Sequence, residues 1–288
     1  SGGDQERAAE RRRGRQSRGG DKAARRLARV KPNQATASVD SVLSWLKKHS
    51  TKGTREGMAR YGVPCDNASG VSVADIRLLA KQIGRNHELA LALWETGSYE
   101  ARMLTPFIDE PARVTPAQMD GWCRDFDSWA ICDALCFHLF DKTPHAWKKI
   151  SKSSDAKPEF VKRASFALLA SVALHDKAAP DKPFFDSLVL IEQAASDDRN
   201  FVKKAVSWAL RGIGKRNGRL HAAAVKLAGR LAKSNDPAAR WTGKDALRDF
   251  TTPATLKRLE MDRALRRSKG ENLATVQTAV AQRSARST

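Results

Sequence analysis

Apolar residues recur at intervals of three and four along almost the whole chain, the spacing that gives a helix one apolar face. The pattern predicts helices over residues 39–48, 73–83, 87–94, 100–108, 116–126, 128–140 and 144–150. It continues over 159–175, 184–195, 200–213, 221–233, 237–250 and 253–267. Ser38, Ser72 and Asn86 stand where N-caps belong. No stretch alternates with the period of two that strands require, and the connectors carry Pro or Gly, among them Pro64, Gly70, Pro111, Pro158, Pro183 and Pro237. Gly212 and Gly214 sit at a helix end and read as a C-cap. The expectation is an all-α chain.

Four of the helical segments repeat one pattern. Aligned from Phe126, Phe160, Phe201 and Ala238, they carry Leu135, Leu169, Leu210 and Leu247 at the tenth position and a small residue at the fifth: Ala130, Ala164, Ala205 and Thr242. The fourth position holds Trp129, Arg163, Lys204 and Trp241, and the eighth holds Asp133, Ala167, Trp208 and Asp245. The segments start 34, 41 and 37 residues apart, close to the ~40-residue unit of HEAT repeats. This predicts a right-handed helical-repeat solenoid of HEAT-like antiparallel helix pairs, in which the fourth and eighth positions align along one concave surface.

Charge gives that surface a partner. Lys and Arg number 52 against 32 Asp and Glu, a formal net charge of +20, so the expected partner is a polyanion. Nucleic acid leads, with an acidic membrane surface behind it, since no apolar run approaches the ~20 residues of a membrane span. Residues 1–34, rich in Arg, Gly and Ser, read as a disordered basic tail, 35–267 as the repeat domain and 268–288 as a polar flexible tail. Four cysteines, Cys65, Cys123, Cys132 and Cys136, fit a reducing cytosol. Cys132 and Cys136 lie near His138, but no paired C-x-x-C motif completes a zinc site, so buried free thiols are the better reading and no cofactor is expected.

Aromatic rings mixed with cations and carboxylates on one stripe fit a ligand surface better than a core. Lys and Arg there would meet phosphates. An Asp in a basic groove weakens phosphate binding unless it serves a positive charge, either on the ligand or one that develops during a reaction.

The residues then resemble a family. Tyr61-Gly62-Val63, the run from Gly70 to Ala80 (Gly-Val-Ser-Val-Ala-Asp-Ile-Arg-Leu-Leu-Ala), Leu93-Trp94-Glu95 with Tyr99-Glu100-Ala101-Arg102, Asp127-Ser128-Trp129 with Cys132-Asp133, Phe160-Val-Lys-Arg-Ala164, and Asn200-Phe-Val-Lys-Lys-Ala205 with Trp208-Ala-Leu-Arg211 are together similar to the AlkD-type DNA alkylation repair family. The blocks keep the family's order over residues 39–250. One position departs from it: where members often carry Asp after the first Trp, Ala130 stands here.

The resemblance implies a HEAT-like repeat DNA glycosylase that hydrolyses the N-glycosidic bond of positively charged alkylated purines, of the N3-methyladenine and N7-methylguanine type. It places the catalytic Asp on Asp133, the lesion-side indoles on Trp129 and Trp208, and DNA contacts on Arg163, Arg211 and Tyr61. Lys203, Lys204 and Arg240 join the expected DNA-binding set as neighbouring cations. The expected partner is double-stranded DNA containing alkylated bases, met by a monomer in the cytoplasm of a bacterium, at the nucleoid. The alternative is a noncatalytic helical-repeat DNA-binding or scaffold protein. Trp241 and Asp245 repeat the types of Trp129 and Asp133 with no assigned role.

Overall fold

The computed structural model describes residues 37–262 and 264, so the basic tail of 1–34, the polar tail of 268–288 and residues 265–267 of the last expected helix lie outside the described residues. The helices are α1 Val39–His49, α2 Lys52–Arg60, α3 Val73–Ile83, α4 His87–Glu95, α5 Tyr99–Ile108, α6 Pro116–Arg124 and α7 Trp129–His138. A 3-10 turn, Phe140–Lys142, leads to α8 Ala146–Ser153, α9 Glu159–His175, α10 Lys182–Ala194, α11 Asn200–Gly214, α12 Gly218–Ala232 and α13 Pro237–Phe250. Residues 253–262 are helical too. No strand occurs among the described residues.

The caps are where the side chains foretell them. Ser38 and Ser41 form a reciprocal capping box on α1, Ser72 accepts from the Asp75 N–H, and Asn86 accepts from the Leu89 N–H.

Two expectations need correction. Helix α2 was not expected, because Lys-Gly-Thr-Arg-Glu-Gly-Met-Ala-Arg carries almost no apolar signal and buries no residue; its Thr51 cap and backbone bonds hold it. Gly212 and Gly214 do not cap α11 but lie inside it, and neither has positive φ. They are packing glycines: a Cβ on Gly212 would touch Ala170, and one on Gly214 would enter the Phe250 ring at 2.5 Å.

Helices α5, α7, α9, α11 and α13 form one row in which each packs on the next, and α8, α10 and α12 pack behind that row. The four repeated segments are thus successive helices of a single row, which is the HEAT-like repeat architecture. Leu135, Leu169 and Leu210 are fully buried between the rows, as are Ala205 and Thr242. Leu247 and Ala130 are half-buried against the same core.

Buried polar groups fix how the row is joined. Glu100 is fully buried and accepts from the N–H groups of Ser69, Gly70 and Val71, anchoring the loop that follows Tyr61. Gly70 there has φ +91 and a Cβ would meet the Thr51 carbonyl at 2.5 Å, so only glycine fits.

Between α10 and α11, Asp197 accepts from Arg199 Nη2 at 2.6 Å and Nε at 2.9 Å, with Lys162 Nζ at 3.0 Å. The hydrogen bonds from Arg199, and then those of Lys162, hold its carboxyl down to about 2. A depressed carboxyl stabilises the fold above its unfolded value and loses that contribution as pH falls towards the folded one. Asp197→Asn is therefore expected to lower stability by about 1–2 kcal/mol at neutral pH, allowing for the part-exposed Arg199. Chemical denaturation at a series of pH values should show the difference from wild type shrinking between about pH 4 and about pH 2.

Candidate DNA-facing site

Helix α7 begins at Trp129, straight after extended Ser128. Asp133 and Phe137 follow at successive turns, so Trp129, Asp133 and Phe137 share one face of the helix. The neighbouring helix α9 presents Arg163 to this face. Its guanidinium forks onto the carboxylate, Nε to Asp133 Oδ1 at 2.9 Å and Nη2 to Oδ2 at 2.7 Å. Its third donor, Nη1, reaches the Phe201 carbonyl at the start of α11, at 2.6 Å. One side chain therefore ties together α7, α9 and α11.

Burial pushes the Asp133 carboxyl above its ordinary value, and the attraction and hydrogen bonds of Arg163 offset that in part. Burial pulls the Arg163 guanidinium down, but Asp133 more than compensates and holds it above its usual value. Two donors forked onto two oxygens describe a carboxylate and a guanidinium, so the pair is ionised at neutral pH. The Arg163 side chain is only 7% exposed, against 22% for Asp133. Arg163 thus lies beneath the surface with its donors engaged inside the protein, while Asp133 keeps an open edge.

That edge faces a cleft of 480 Å³ whose walls include Asp133, Trp208, Arg211, Lys215 and Arg258. Its floor is apolar, formed by Ala170, Ala173, Leu174 and Gly212. Trp208 is half-buried and lies nearly parallel to Phe137, 6.5 Å away at 22°. Arg211 approaches Asp245 at 3.6 Å and Asp249 at 3.7 Å, so its charge is shared with α13.

Trp129 donates from Nε1 to the Tyr61 carbonyl at 3.0 Å, and Tyr61 is itself 74% exposed just after α2. Lys204 is exposed. Lys203 lies 5.1 Å above the Trp241 ring, on the same row of helices. Arg240 turns back to the Ser234 and Asn235 carbonyls and closes the loop before α13. Asp245, the repeat counterpart of Asp133, accepts from the Ser207 hydroxyl at 2.6 Å and from Arg248. It is a bonded network member with no open edge of its own on the cleft.

Of the residues expected at the site, Asp133, Trp208 and Arg211 share the cleft, whereas Trp129, Arg163, Tyr61, Lys203, Lys204 and Arg240 are not part of its lining. The bond between Trp129 and Tyr61 was not foreseen. Sequence reasoning passed over Phe137, Lys215, Arg258 and Leu174. Phe137 was within reach, since it continues the four-residue step from Trp129 through Asp133. Lys215 and Arg258 carry no local signal among the 52 cations. The thiols of Cys132 and Cys136 are buried against the Phe160 and Ala164 carbonyls, and burial pushes the Cys136 thiol well above its usual value. No group of three His, Cys, Asp or Glu among the described residues is arranged to hold a metal. No helix among them is long and apolar enough to cross a membrane.

Fold and site together define a helical-repeat protein with an aromatic, cation-walled cleft around one carboxylate. The chain belongs to the DNA alkylation repair enzyme family, whose profile matches residues 42–250. A solved structure described as a new family of proteins related to the HEAT-like repeat DNA glycosylases with affinity for branched DNA structures is similar at TM-score 0.62 and 19% identity. That match covers 74% of this chain and 95% of the other. A designed armadillo repeat protein in complex with the peptide (KR)4 is similar at only TM-score 0.33 and 13% identity, over 67% of this chain and 80% of the other, too low to carry an argument. No curated protein sequence matches the chain.

Proposed function

We propose that the protein is a DNA glycosylase that hydrolyses the N-glycosidic bond of positively charged alkylated purines in duplex DNA. The observation that carries this reading is Asp133: a carboxylate kept ionised by a buried Arg163, with one edge open to a cleft that Trp208 flanks and Arg211, Lys215 and Arg258 surround. A phosphate binder gains nothing from an anion at that place. A cationic base leaves readily without a general acid. The bonding electron pair departs with the base and neutralises it, and positive charge appears on the deoxyribose. Asp133 stabilises that charge and orients the water that adds to it; the added water gives its proton to solvent, leaving free base and an abasic site. Trp129 and Trp208 offer ring faces to the sugar, and Arg211, Lys203, Lys204, Lys215 and Arg258 take the flanking phosphates.

A second reading is a noncatalytic DNA binder. It is favoured by the fork itself: Arg163 balances the Asp133 charge and so weakens the field a cationic transition state would feel. The affinity for branched DNA of the related proteins points the same way. One experiment separates the two. Methylated duplex DNA is incubated with wild-type protein and free N7-methylguanine is measured by chromatography. The glycosylase reading expects base release with multiple turnovers. Salt-sensitive binding of the same duplex with no release above the spontaneous rate would leave only the second reading.

A further inference from the structure

One buried carboxylate has no part in the chemistry above. Asp141 lies in the 3-10 turn after α7, and its side chain is 0% exposed. Its Oδ2 receives His175 Nδ1 at 2.5 Å, while Oδ1 is buried with no hydrogen-bond partner. His175 is the last residue of α9 and its side chain is 35% exposed. With Nδ1 held by Asp141, Nε2 is the ring nitrogen left for an outside partner. The imidazole meets Phe137 edge-on at 4.3 Å, and Phe137 is the ring beside Trp208. Ala173 and Leu174, the two residues before His175, form part of the cleft floor. His175 follows directly on this lining without being part of it, and its ring reaches the cleft's Trp208 through Phe137.

The charged and titratable neighbours of this pair are Lys142 in the same turn, His138 on α7, and Arg216, which bonds the Ala173 and Asp176 carbonyls at the end of α9. His138, on α7, is pushed down to about 4 by burial, then by Arg77 and Lys142, so it stays neutral and accepts from Arg77 at 3.2 Å. Burial raises the Asp141 carboxyl, and His175 pulls it down only in part. From this geometry we infer that His175, steadied by Asp141, is a phosphodiester-binding residue beside the cleft, donating from Nε2 to a DNA phosphate. The inference rests on the DNA reading of the cleft.

The test is duplex DNA binding by wild type and His175→Gln, titrated with salt at about pH 6 and about pH 8.5, either side of the usual imidazole range. Glutamine keeps a donor for Asp141 but cannot be charged. Wild type is expected to bind more tightly at the lower pH, and the variant to lose roughly threefold to tenfold there, as for one phosphate contact, and little at the higher pH. The salt slope of the variant should be smaller by about one at the lower pH only. Histidine carbon shifts in the wild-type protein provide a reading free of any folding defect: the His175 titration midpoint should rise on adding DNA. A variant that keeps the wild-type pH dependence, or a His175 midpoint that DNA leaves unmoved, would overturn the inference alone. Wild type that binds no duplex at either pH would overturn the DNA reading and this inference with it.

Discussion

Asp133→Asn is expected to slow release of an alkylated purine by about a hundredfold or more, because the charge appearing on the sugar loses the anion beside it. The same change also disturbs the fold. Arg163, 7% exposed, would keep its charge without a counter-charge. Removing one partner of a fully buried pair costs about 3–5 kcal/mol, and the partial exposure of Asp133 brings the expectation to about 2–3 kcal/mol. At this chain length that is a fall in midpoint of about 4–12 °C. A second substitution separates the two effects. Asp133→Asn with Arg163→Gln replaces the ion pair by two amides that can still bond, and should recover most of the lost stability. It should recover none of the release. Release of N7-methylguanine by Asp133→Asn at the wild-type rate, measured below its melting range, would remove Asp133 from the chemistry.

Gly243→Ala is expected to be the most damaging single methyl group in the repeat row. Gly243 lies inside α13 where that helix presses on α12. A Cβ there would meet the Ala228 carbonyl at 2.5 Å and the Leu231 carbonyl carbon at 2.8 Å, with the Ala232 nitrogen closer still. All three are backbone atoms of α12, so the relief must come from moving one helix off the other. Overpacking of this kind costs about 1–3 kcal/mol when side chains can adjust, and here the expectation is at the top of that range or above. Gly57 in α2 supplies the control, since nothing lies within 4 Å of an added Cβ. There the helix propensity of alanine acts alone, and Gly57→Ala should stabilise by about 0.5–1 kcal/mol. Thermal melts of the two variants should move in opposite directions. Equal shifts would mean that α12 and α13 are not in contact as described.

These two glycines also mark what a sequence reader could and could not see. Segment spacing and the buried Leu135, Leu169 and Leu210 made the row of helices legible, because each repeat must bury the same stripe against its neighbours. Asp133 stood out because the repeat register puts a carboxylate on a stripe of cations and indoles, and the family resemblance singled it out from there. Helix α2 was hidden, since periodicity reports burial and α2 buries nothing. Arg163 shares its repeat position with exposed Lys204, yet one plunges to Asp133 and Phe201 while the other faces solvent. The difference lies in what the next helix offers a guanidinium, a relation across 30 residues that no local pattern encodes. Gly212 and Gly214 look like a helix stop for the same reason: a glycine that ends a helix and one that lets another helix close in have one letter between them.

The hydrogen bond from Trp129 to the Tyr61 carbonyl joins positions 68 residues apart. Tyr61 hangs on a loop whose far end Glu100 clamps, while its ring projects into solvent. A load applied to that ring is thus delivered through the backbone to the indole at the first turn of α7, one turn ahead of Asp133. The amino-terminal helices are therefore coupled to the face of α7 that carries Asp133, and the emission of Trp129 should shift when a ligand engages Tyr61.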